Sequence, residues 1–337
     1  MRLLHVIDRI GHAGLGDWAA LACHAVVRGA PAHEHVVALV GSGADERRAE
    51  SLGLTTPNRI NPAPAGWSAP GVRALARHRG PFDRVLIWSS GVRRPHRIDN
   101  AVRLLVCPSG SDAGQEDADQ GSIFLDDFAA RELAPLRPPM GIGRGRVRSH
   151  LGLRDSDVVV ALAGHAGDSR AASIGGVVVG LVEASGRSIV GLIPASPSNA
   201  GRVRRLLHPP GVPTRLVFTD LPECLAIVAA DVVIVAPRAW RLAPGDDDRC
   251  EVSASVLAGA CTIGRGVVAP ESQRSRNISD HFEGGVEFAL NSVPTEMARA
   301  LVTTLERRSN GPTDPKPDDV HAFERFATRV IERLNPS

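Results

Sequence analysis

Residues 158–184 read VVVALAGHAGDSRAASIGGVVVGLVEA, and this stretch decides the fold. It opens with six apolar residues, passes through a loop that contains Gly164 and Gly167, and ends in an apolar segment. A short run of small and β-branched apolar residues is typical of a strand that is buried on both faces. The segment from residue 172 to residue 184 is predicted to be a helix. A buried strand, a glycine loop and a helix together indicate a parallel sheet covered by helices.

Both halves of the chain repeat this alternation of short apolar strands and helices. Further strands are predicted at residues 3–7, 35–40, 84–88, 103–106, 188–193, 215–218 and 232–236, and helices at residues 17–28, 44–52, 71–79, 199–207, 222–229, 253–257, 293–307 and 320–334. Between the halves, residues 134–146 (APLRPPMGIGRGR) are dense in proline and glycine, which suit a linker better than a helix or strand.

We therefore predict an α/β protein with two Rossmann-like domains that face a cleft. Residues 1–140 form the first domain and residues 141–315 the second, and residues 316–337 form a C-terminal helix that could pack back on the first domain. In sheets of this kind, ligands bind outside the carboxyl ends of the strands. The active site is therefore expected in the cleft, at those ends.

Composition narrows the classes of function. The chain has 337 residues, is 43% hydrophobic and 23% charged, and carries a formal net charge of +2. These values are typical of a folded globular protein, and so small a net charge does not predict nucleic acid as a partner. Apolar runs are too short to span a bilayer and the first residues lack the pattern of a signal peptide, so we expect a cytoplasmic protein. Five cysteines without a CxxC pair argue against a zinc site or disulfide framework, and the absence of tyrosine excludes a tyrosine acid.

Six short motifs occur in an order that is similar to a known family. They are HVIDRIGHAGL at residues 5–15, RSHLGLRD at 148–155, GHAGDSR at 164–170, AADV at 229–232, SVLAGACTI at 255–263 and GGVEF at 284–288, the last resembling a loop before the final helices. In these motifs the chain resembles the GT-B glycosyltransferases, and specifically the retaining group called family 4. The resemblance implies transfer of a sugar from a nucleoside diphosphate sugar to an acceptor hydroxyl, with retention and without a metal or other cofactor.

The resemblance also implies which residues bind the donor. Arg170 and His165 stand where the family has lysine and arginine, and they would neutralise the leaving diphosphate. A guanidinium suits this role because its planar fork donates two hydrogen bonds to phosphate and stays charged. Gly14 and Gly164 lie in loops whose backbone N–H groups could approach the ligand.

The family's two glutamates near the donor sugar are altered in this chain. Ser255 takes the second position and Asp247 the first, while Glu251 lies between them and could replace a glutamate after a shift of one helical turn. Asp247 or Glu251 would hold the hydroxyls of the donor, and Glu251 joins Arg170 and His165 as a predicted catalytic residue. Residues 246–248 are three aspartates, but their place late in the second domain argues against a metal site.

Two other functions stay open at this point. The altered glutamates and His165 are also compatible with an inactive GT-B homologue that binds a nucleotide or a protein partner. A GT-B epimerase would need acid–base carboxylates, which the sequence does not locate. The acceptor of a transferase is unknown. Arg202, Arg204 and Arg205 form a basic helix face that could contact anionic lipid at a membrane surface.

Overall fold

The protein divides into two compact units. The first combines Met1–Pro139 with Asp319–Ser337, and the second is Met140–Asp318. The computed structural model describes residues 1–7, 15–40, 49–50, 53–54, 58–60, 69–89, 101–105, 122–124, 143–164, 169–194, 201, 215–219, 221, 223–236, 254–262, 265–272, 275–276, 279–280, 286–290, 293–308 and 322–334.

The first unit is built on a parallel sheet with the strand order β3-β2-β1-β4-β5-β6. Its elements are β1 (Arg2–Ile7), α1 (Leu15–Gly29), β2 (Glu34–Val40), β3 (Asn58–Ile60), α2 (Ala69–Arg79), β4 (Arg84–Ser89), β5 (Ala101–Leu105) and β6 (Ser122–Phe124). The central strand β1 pairs with β2 on one side and with β4 on the other. This position explains why β1 is apolar along most of its length.

Helices cover both faces of the first sheet. Because side chains alternate along a strand, Leu4 and Val6 share one face, where they join a core cluster with Val72 of α2. Leu3 and His5 occupy the other face, and both are fully buried. Helix α1 packs against β1 and β4.

The second unit repeats this arrangement with the order β12-β11-β10-β7-β8-β9, again with parallel pairing throughout. Its elements are α3 (Arg144–His150), β7 (Val159–Gly164), α4 (Ser169–Ala184), β8 (Val190–Pro194), β9 (Leu216–Thr219), α5 (Glu223–Ala229), β10 (Val232–Ala236), α6 (Ala254–Thr262), β11 (Gly266–Pro270), β12 (Val286–Ala289) and α7 (Pro294–Arg308). Helices α4 and α7 pack together and share one apolar core with the strands.

The last helix, α8 (Ala322–Leu334), belongs to the first unit and packs on α1. Its buried residues Phe326, Ala327, Val330 and Leu334 recur at helical spacing, so they form one apolar stripe. Across the described part of the chain, we find no helix with the length and apolar character needed to cross a bilayer.

The predicted α/β class with two Rossmann-like sheets is confirmed, but several element boundaries differ from the predictions. Residues 284–288 were predicted to be a loop, whereas β12 occupies the end of this segment. Helix α4 begins at Ser169 rather than at residue 172, and α6 continues to Thr262. Helix α1 begins at Leu15 rather than at residue 17. Except for residue 201, the predicted helix at 199–207 lies outside the described residues, as does most of the predicted helix at 44–52.

Candidate functional site

The carboxyl edge of the second sheet carries a topological switch point. From β7 the chain continues to β8 on one side of the sheet, whereas from β10 it continues to β11 on the other side. Strands β7 and β10 are paired neighbours, and their last residues, Gly164 and Ala236, lie side by side. A switch point of this kind leaves a crevice between the two strand ends, and ligands of doubly wound sheets bind there.

Gly164 allows the two strand ends to approach closely. Its backbone adopts a φ of +94°, which side chains with a Cβ rarely tolerate. A Cβ at this position would lie only 2.9 Å from the carbonyl oxygen of Ala236. The predicted loop glycine is therefore required twice over, by its own conformation and by the neighbouring backbone.

We expect Gly164→Ala to destabilise the second unit more than a matched glycine substitution. Gly186 is the control, because its φ is +88° but nothing lies within 4 Å of its Cβ position. Both changes carry the cost of a left-handed backbone, about 1–2 kcal/mol. Gly164→Ala adds a steric clash, which typically costs about 1–3 kcal/mol. Urea unfolding of the two variants measures this difference. Equal losses of stability would contradict the close approach of β7 and β10.

Two of the other predicted residues belong to helices that begin at this same edge. Helices α4 and α6 follow β7 and β10, so each must start at the carboxyl edge to return to the next parallel strand. Arg170 lies in the first turn of α4, and Ser255 lies in the first turn of α6. The amino end of a helix attracts anions, because its backbone N–H groups and dipole point outward.

The remaining predicted site residues lie outside the described part of the chain. They are Gly14, His165, Asp247 and Glu251, and the basic residues Arg202, Arg204 and Arg205 share this position. Their roles stay predictions.

The segment after β11 adds charged groups to this edge that the sequence did not indicate. Arg276 donates to the carboxylate of Glu271, through Nε at 2.9 Å, and its guanidinium lies over the ring of Phe288. Ser275 is fully buried and donates to the carbonyl oxygen of Pro270 at 3.0 Å. These contacts fix the turn, but the stretch contains no motif that would have predicted them.

Two of the motifs that resemble family 4 contribute side chains to the opposite, amino edge of the second sheet. Arg148 from RSHLGLRD is almost fully buried and forms an ion pair with Asp231 from AADV, at 2.7 Å. Asp231 also accepts the backbone N–H of Val159 at 2.8 Å and a hydrogen bond from Arg144. These motif residues therefore stabilise the start of β7 and β10.

The remaining N–H groups of Arg148 donate to backbone carbonyl oxygens. Nε donates to Ala229 at 2.9 Å, and Nη1 donates to the carbonyl oxygens of Arg154, Asp155 and Asp157 at 3.0–3.2 Å. A buried guanidinium is tolerated only when it is paired and hydrogen-bonded in this way. Arg148 thus joins α3, the loop before β7 and the end of α5.

In the first unit, the buried His5 and the half-buried His35 are part of a hydrogen-bonded chain. The indole Nε1 of Trp88 donates to Nδ1 of His5 at 3.1 Å, and Nε2 of His5 lies 2.9 Å from Nδ1 of His35. Nε2 of His35 then reaches the carbonyl oxygen of Ala30 at 2.8 Å. Burial, with a smaller contribution from His35, lowers the pKa of His5 to about 3.

Metal-ligating side chains do not gather among the residues that the structure describes: no three of His, Cys, Asp and Glu come together there. The described cysteines Cys23 and Cys261 are free thiols, and burial raises the pKa of each, Cys261 to about 12. Neither is a reactive thiolate at neutral pH.

Comparison with known proteins shows the fold. No protein-family model and no curated relative matches this sequence. Among solved structures, HepE from Anabaena in complex with UDP and glucose is 15% identical, with a TM-score of 0.57 and 99% of both chains covered. The UDP-GlcNAc 2-epimerase of Methanocaldococcus jannaschii, in complex with UDP-GlcNAc and UDP, is 10% identical with a TM-score of 0.56, covering 98% of this chain and 99% of its own. The second unit, with its switch point at Gly164, is thus half of a GT-B type fold that spans nearly the whole chain.

Proposed function

We propose that the protein binds a nucleoside diphosphate sugar at the carboxyl edge of the second sheet and transfers the sugar to an acceptor hydroxyl. The observation that carries the proposal is the switch point, where Gly164 ends β7 and the amino end of α4 follows. This edge offers backbone N–H groups, a helix dipole and the predicted cation Arg170, which together suit a diphosphate. The first unit would supply the acceptor side.

The roles of the predicted residues follow from the charge that develops during transfer. As the bond between the sugar and the diphosphate breaks, negative charge grows on the leaving phosphate. Arg170, helped by His165, would stabilise that charge, and backbone groups near Gly14 and Gly164 would orient the ligand. Asp247 or Glu251 would hold the sugar hydroxyls, near the first turn of α6 that contains Ser255. This chemistry needs no metal ion, because the cations come from the protein.

The similar folds suggest uridine diphosphate as the first ligand to test. HepE was solved with UDP and glucose, and the Methanocaldococcus epimerase was solved with UDP-GlcNAc and UDP. Within this proposal the family-4 resemblance of the sequence favours a retaining transferase. Two other functions compete with the transferase as outcomes of the experiment. The similarity to an epimerase structure keeps an epimerase open. Ser255, which stands where the family has a glutamate, keeps an inactive nucleotide binder open.

A ligand panel tests the proposal. Thermal unfolding is measured with UDP, ADP and GDP, with their glucose conjugates, and with EDTA present. A ligand at about 100 times its Kd should add about 2.7 kcal/mol to the stability of the folded state. Release of free nucleoside diphosphate only when an acceptor is present supports the transferase, whereas interconversion of sugars supports an epimerase. A folded sample that responds to none of these ligands would refute nucleotide binding altogether.

We expect Arg170→Gln to weaken binding of the nucleoside diphosphate roughly ten- to hundredfold and to leave binding of the nucleoside unchanged, because one charge-assisted hydrogen bond contributes roughly 1.5–3 kcal/mol. Arg187→Gln is the matched control. Arg187 follows the other end of α4, where it forms a surface ion pair with Glu306 at 2.5 Å. Isothermal titration calorimetry measures both variants. If both bind UDP as the wild type does, Arg170 has no phosphate role.

A further inference from the structure

Glu271 lies at the same row of strand ends as the switch point of the second sheet. Gly164 pairs with Ala236, and the register of β10 with β11, continued to the end of the strands, brings Pro270 level with them. Glu271 follows directly, and its backbone N–H donates to the carbonyl oxygen of Ala289 at 2.7 Å, so it still belongs to the sheet. Because β11 is two strands away from β7, the backbones of Glu271 and Gly164 are roughly 10 Å apart.

The side chain of Glu271 lies on the face of the sheet that α6 covers. Side chains alternate along a strand, so Glu271 shares its face with Ala269 and with Phe288, which pairs with Ala269. Val268 points the other way, into the core that α4 and α7 share. Helix α6 packs on β11, and no α6 residue that the structure describes belongs to that core. Glu271 and the amino end of α6 therefore lie on one face of the sheet, at its carboxyl edge.

Arg276 holds one oxygen of the Glu271 carboxylate and leaves the other accessible. Nε of Arg276, at 2.9 Å, and Nη2 both donate to Oε1, and the guanidinium carbon lies 5.3 Å from the centre of the Phe288 ring. Within the described part of the chain, Oε2 makes no hydrogen bond, and 28% of the Glu271 side chain is exposed. The carboxylate is therefore fixed in position with one acceptor directed to a ligand or to solvent.

The charges of this pair select the kind of group that Oε2 can bind. A carboxylate oxygen is an acceptor only, so it does not bind phosphate directly. Because the guanidinium compensates its charge, Glu271 can lie near a diphosphate without strong repulsion. Oε2 thus suits neutral donors such as hydroxyl groups, and its two lone pairs can accept from hydroxyls on adjacent carbon atoms.

We propose that Glu271, oriented by Arg276, binds a vicinal diol of the nucleoside diphosphate sugar whose diphosphate lies at Gly164 and the amino end of α4. This assignment rests on the proposed function, to which it adds a residue that recognises the hydroxyls of the ligand. The ribose and the transferred sugar both carry such hydroxyls, and each is bonded directly to the diphosphate. The separation of roughly 10 Å between the two backbones, shortened by the length of a glutamate side chain, fits a ring next to the diphosphate.

Isothermal titration calorimetry with UDP, 2′-deoxy-UDP and UDP-glucose tests the proposal and identifies the ring. Glu271→Gln keeps the size of the side chain and removes its charge. If the ribose supplies the diol, the variant binds UDP about tenfold more weakly and no longer prefers UDP to 2′-deoxy-UDP as the wild type does. If the sugar supplies the diol, the variant binds UDP-glucose about tenfold more weakly and UDP unchanged.

Glu287→Gln is the matched control for this substitution. Glu287 is also a partly exposed glutamate paired with an arginine, but its partner is Arg307 of α7, at 2.5 Å, on the opposite face of the sheet. This variant should bind all three probes as the wild type does. Wild-type binding by Glu271→Gln, or an equal loss for all three probes, overturns the proposal and leaves the proposed function standing. A wild type that binds none of the probes refutes both the diol site and uridine nucleotides as ligands.

A second measurement uses the wild-type protein, so the result does not depend on folding of the variant. A carbodiimide couples an added amine to accessible carboxylates, and mass spectrometry measures the extent of coupling at each glutamate. Saturating UDP-glucose should slow coupling at Glu271 several-fold and leave coupling at Glu287 unchanged. Unchanged coupling at Glu271, in a sample in which calorimetry shows that UDP-glucose is bound, overturns the proposal.

Discussion

Asp231→Ala is expected to destabilise the second unit by about 3–5 kcal/mol, because it removes one partner of a buried ion pair. The carboxylate of Asp231 accepts from Arg148, Arg144 and the backbone N–H of Val159. Without it, the guanidinium of Arg148 remains buried with its charge uncompensated, and a backbone donor at the start of β7 loses its partner. Urea unfolding gives the change in free energy.

The control for this substitution is Glu306→Ala, which removes an exposed ion pair with Arg187. Exposed pairs of this kind contribute only about 0–1 kcal/mol. The double variant Arg148→Met/Asp231→Ala adds a further test. It removes the buried charge as well as its partner, so it should recover part of the stability that Asp231→Ala loses. If Asp231→Ala loses as little stability as Glu306→Ala, the contacts among Arg144, Arg148 and Asp231 do not hold the amino edge together.

Phe326→Ala is expected to destabilise the first unit by about 3–5 kcal/mol, since it leaves a cavity where α8 packs on α1. Phe326 is among the largest fully buried side chains of the described residues. Its neighbour Thr328 is exposed, so Thr328→Ala in the same helix is the matched control and should change stability by less than about 0.5 kcal/mol.

Hydrogen exchange distinguishes the two large effects by location. Phe326→Ala should speed exchange of the amides in β1, β2 and β4, whereas Asp231→Ala should speed exchange in β7 and β10. If Phe326→Ala instead exposes the strands of the second unit, the assignment of α8 to the first unit is wrong.

The sequence predicted the class of fold because buried parallel strands leave a strong pattern. The runs at 158–163 and 232–236 are almost purely apolar, since helices cover both faces of their sheet. Strand β3 spans only Asn58–Ile60, and so short a segment has no periodicity to detect. Strand β12 contains Glu287, which forms an ion pair with Arg307 of α7, so its sequence VEFA does not match a fully buried strand.

The candidate site was predictable where it depends on backbone conformation and not where it depends on partners across the sheet. Gly164 follows directly after an apolar run, so its place at a strand end could be inferred from the sequence alone. Its contact with Ala236 could not be inferred, because these residues are far apart in the chain and meet only through strand order. The same holds for Arg148 and Asp231, because nothing in their two motifs predicts that these side chains meet at the amino edge.

The division of the chain into Met1–Pro139 with Asp319–Ser337, and Met140–Asp318, has a consequence for biosynthesis. Domains usually fold from the N-terminus as the ribosome releases them, at about 5–20 residues per second. Here the first unit cannot finish folding until its last helix, α8, has been translated. At that rate, α8 is translated roughly 10–40 s after residue 139. The later unit, formed from one uninterrupted stretch, is complete first. During this interval the surface of α1 that will meet α8 is uncovered on the nascent polypeptide, so chaperone binding should concentrate there.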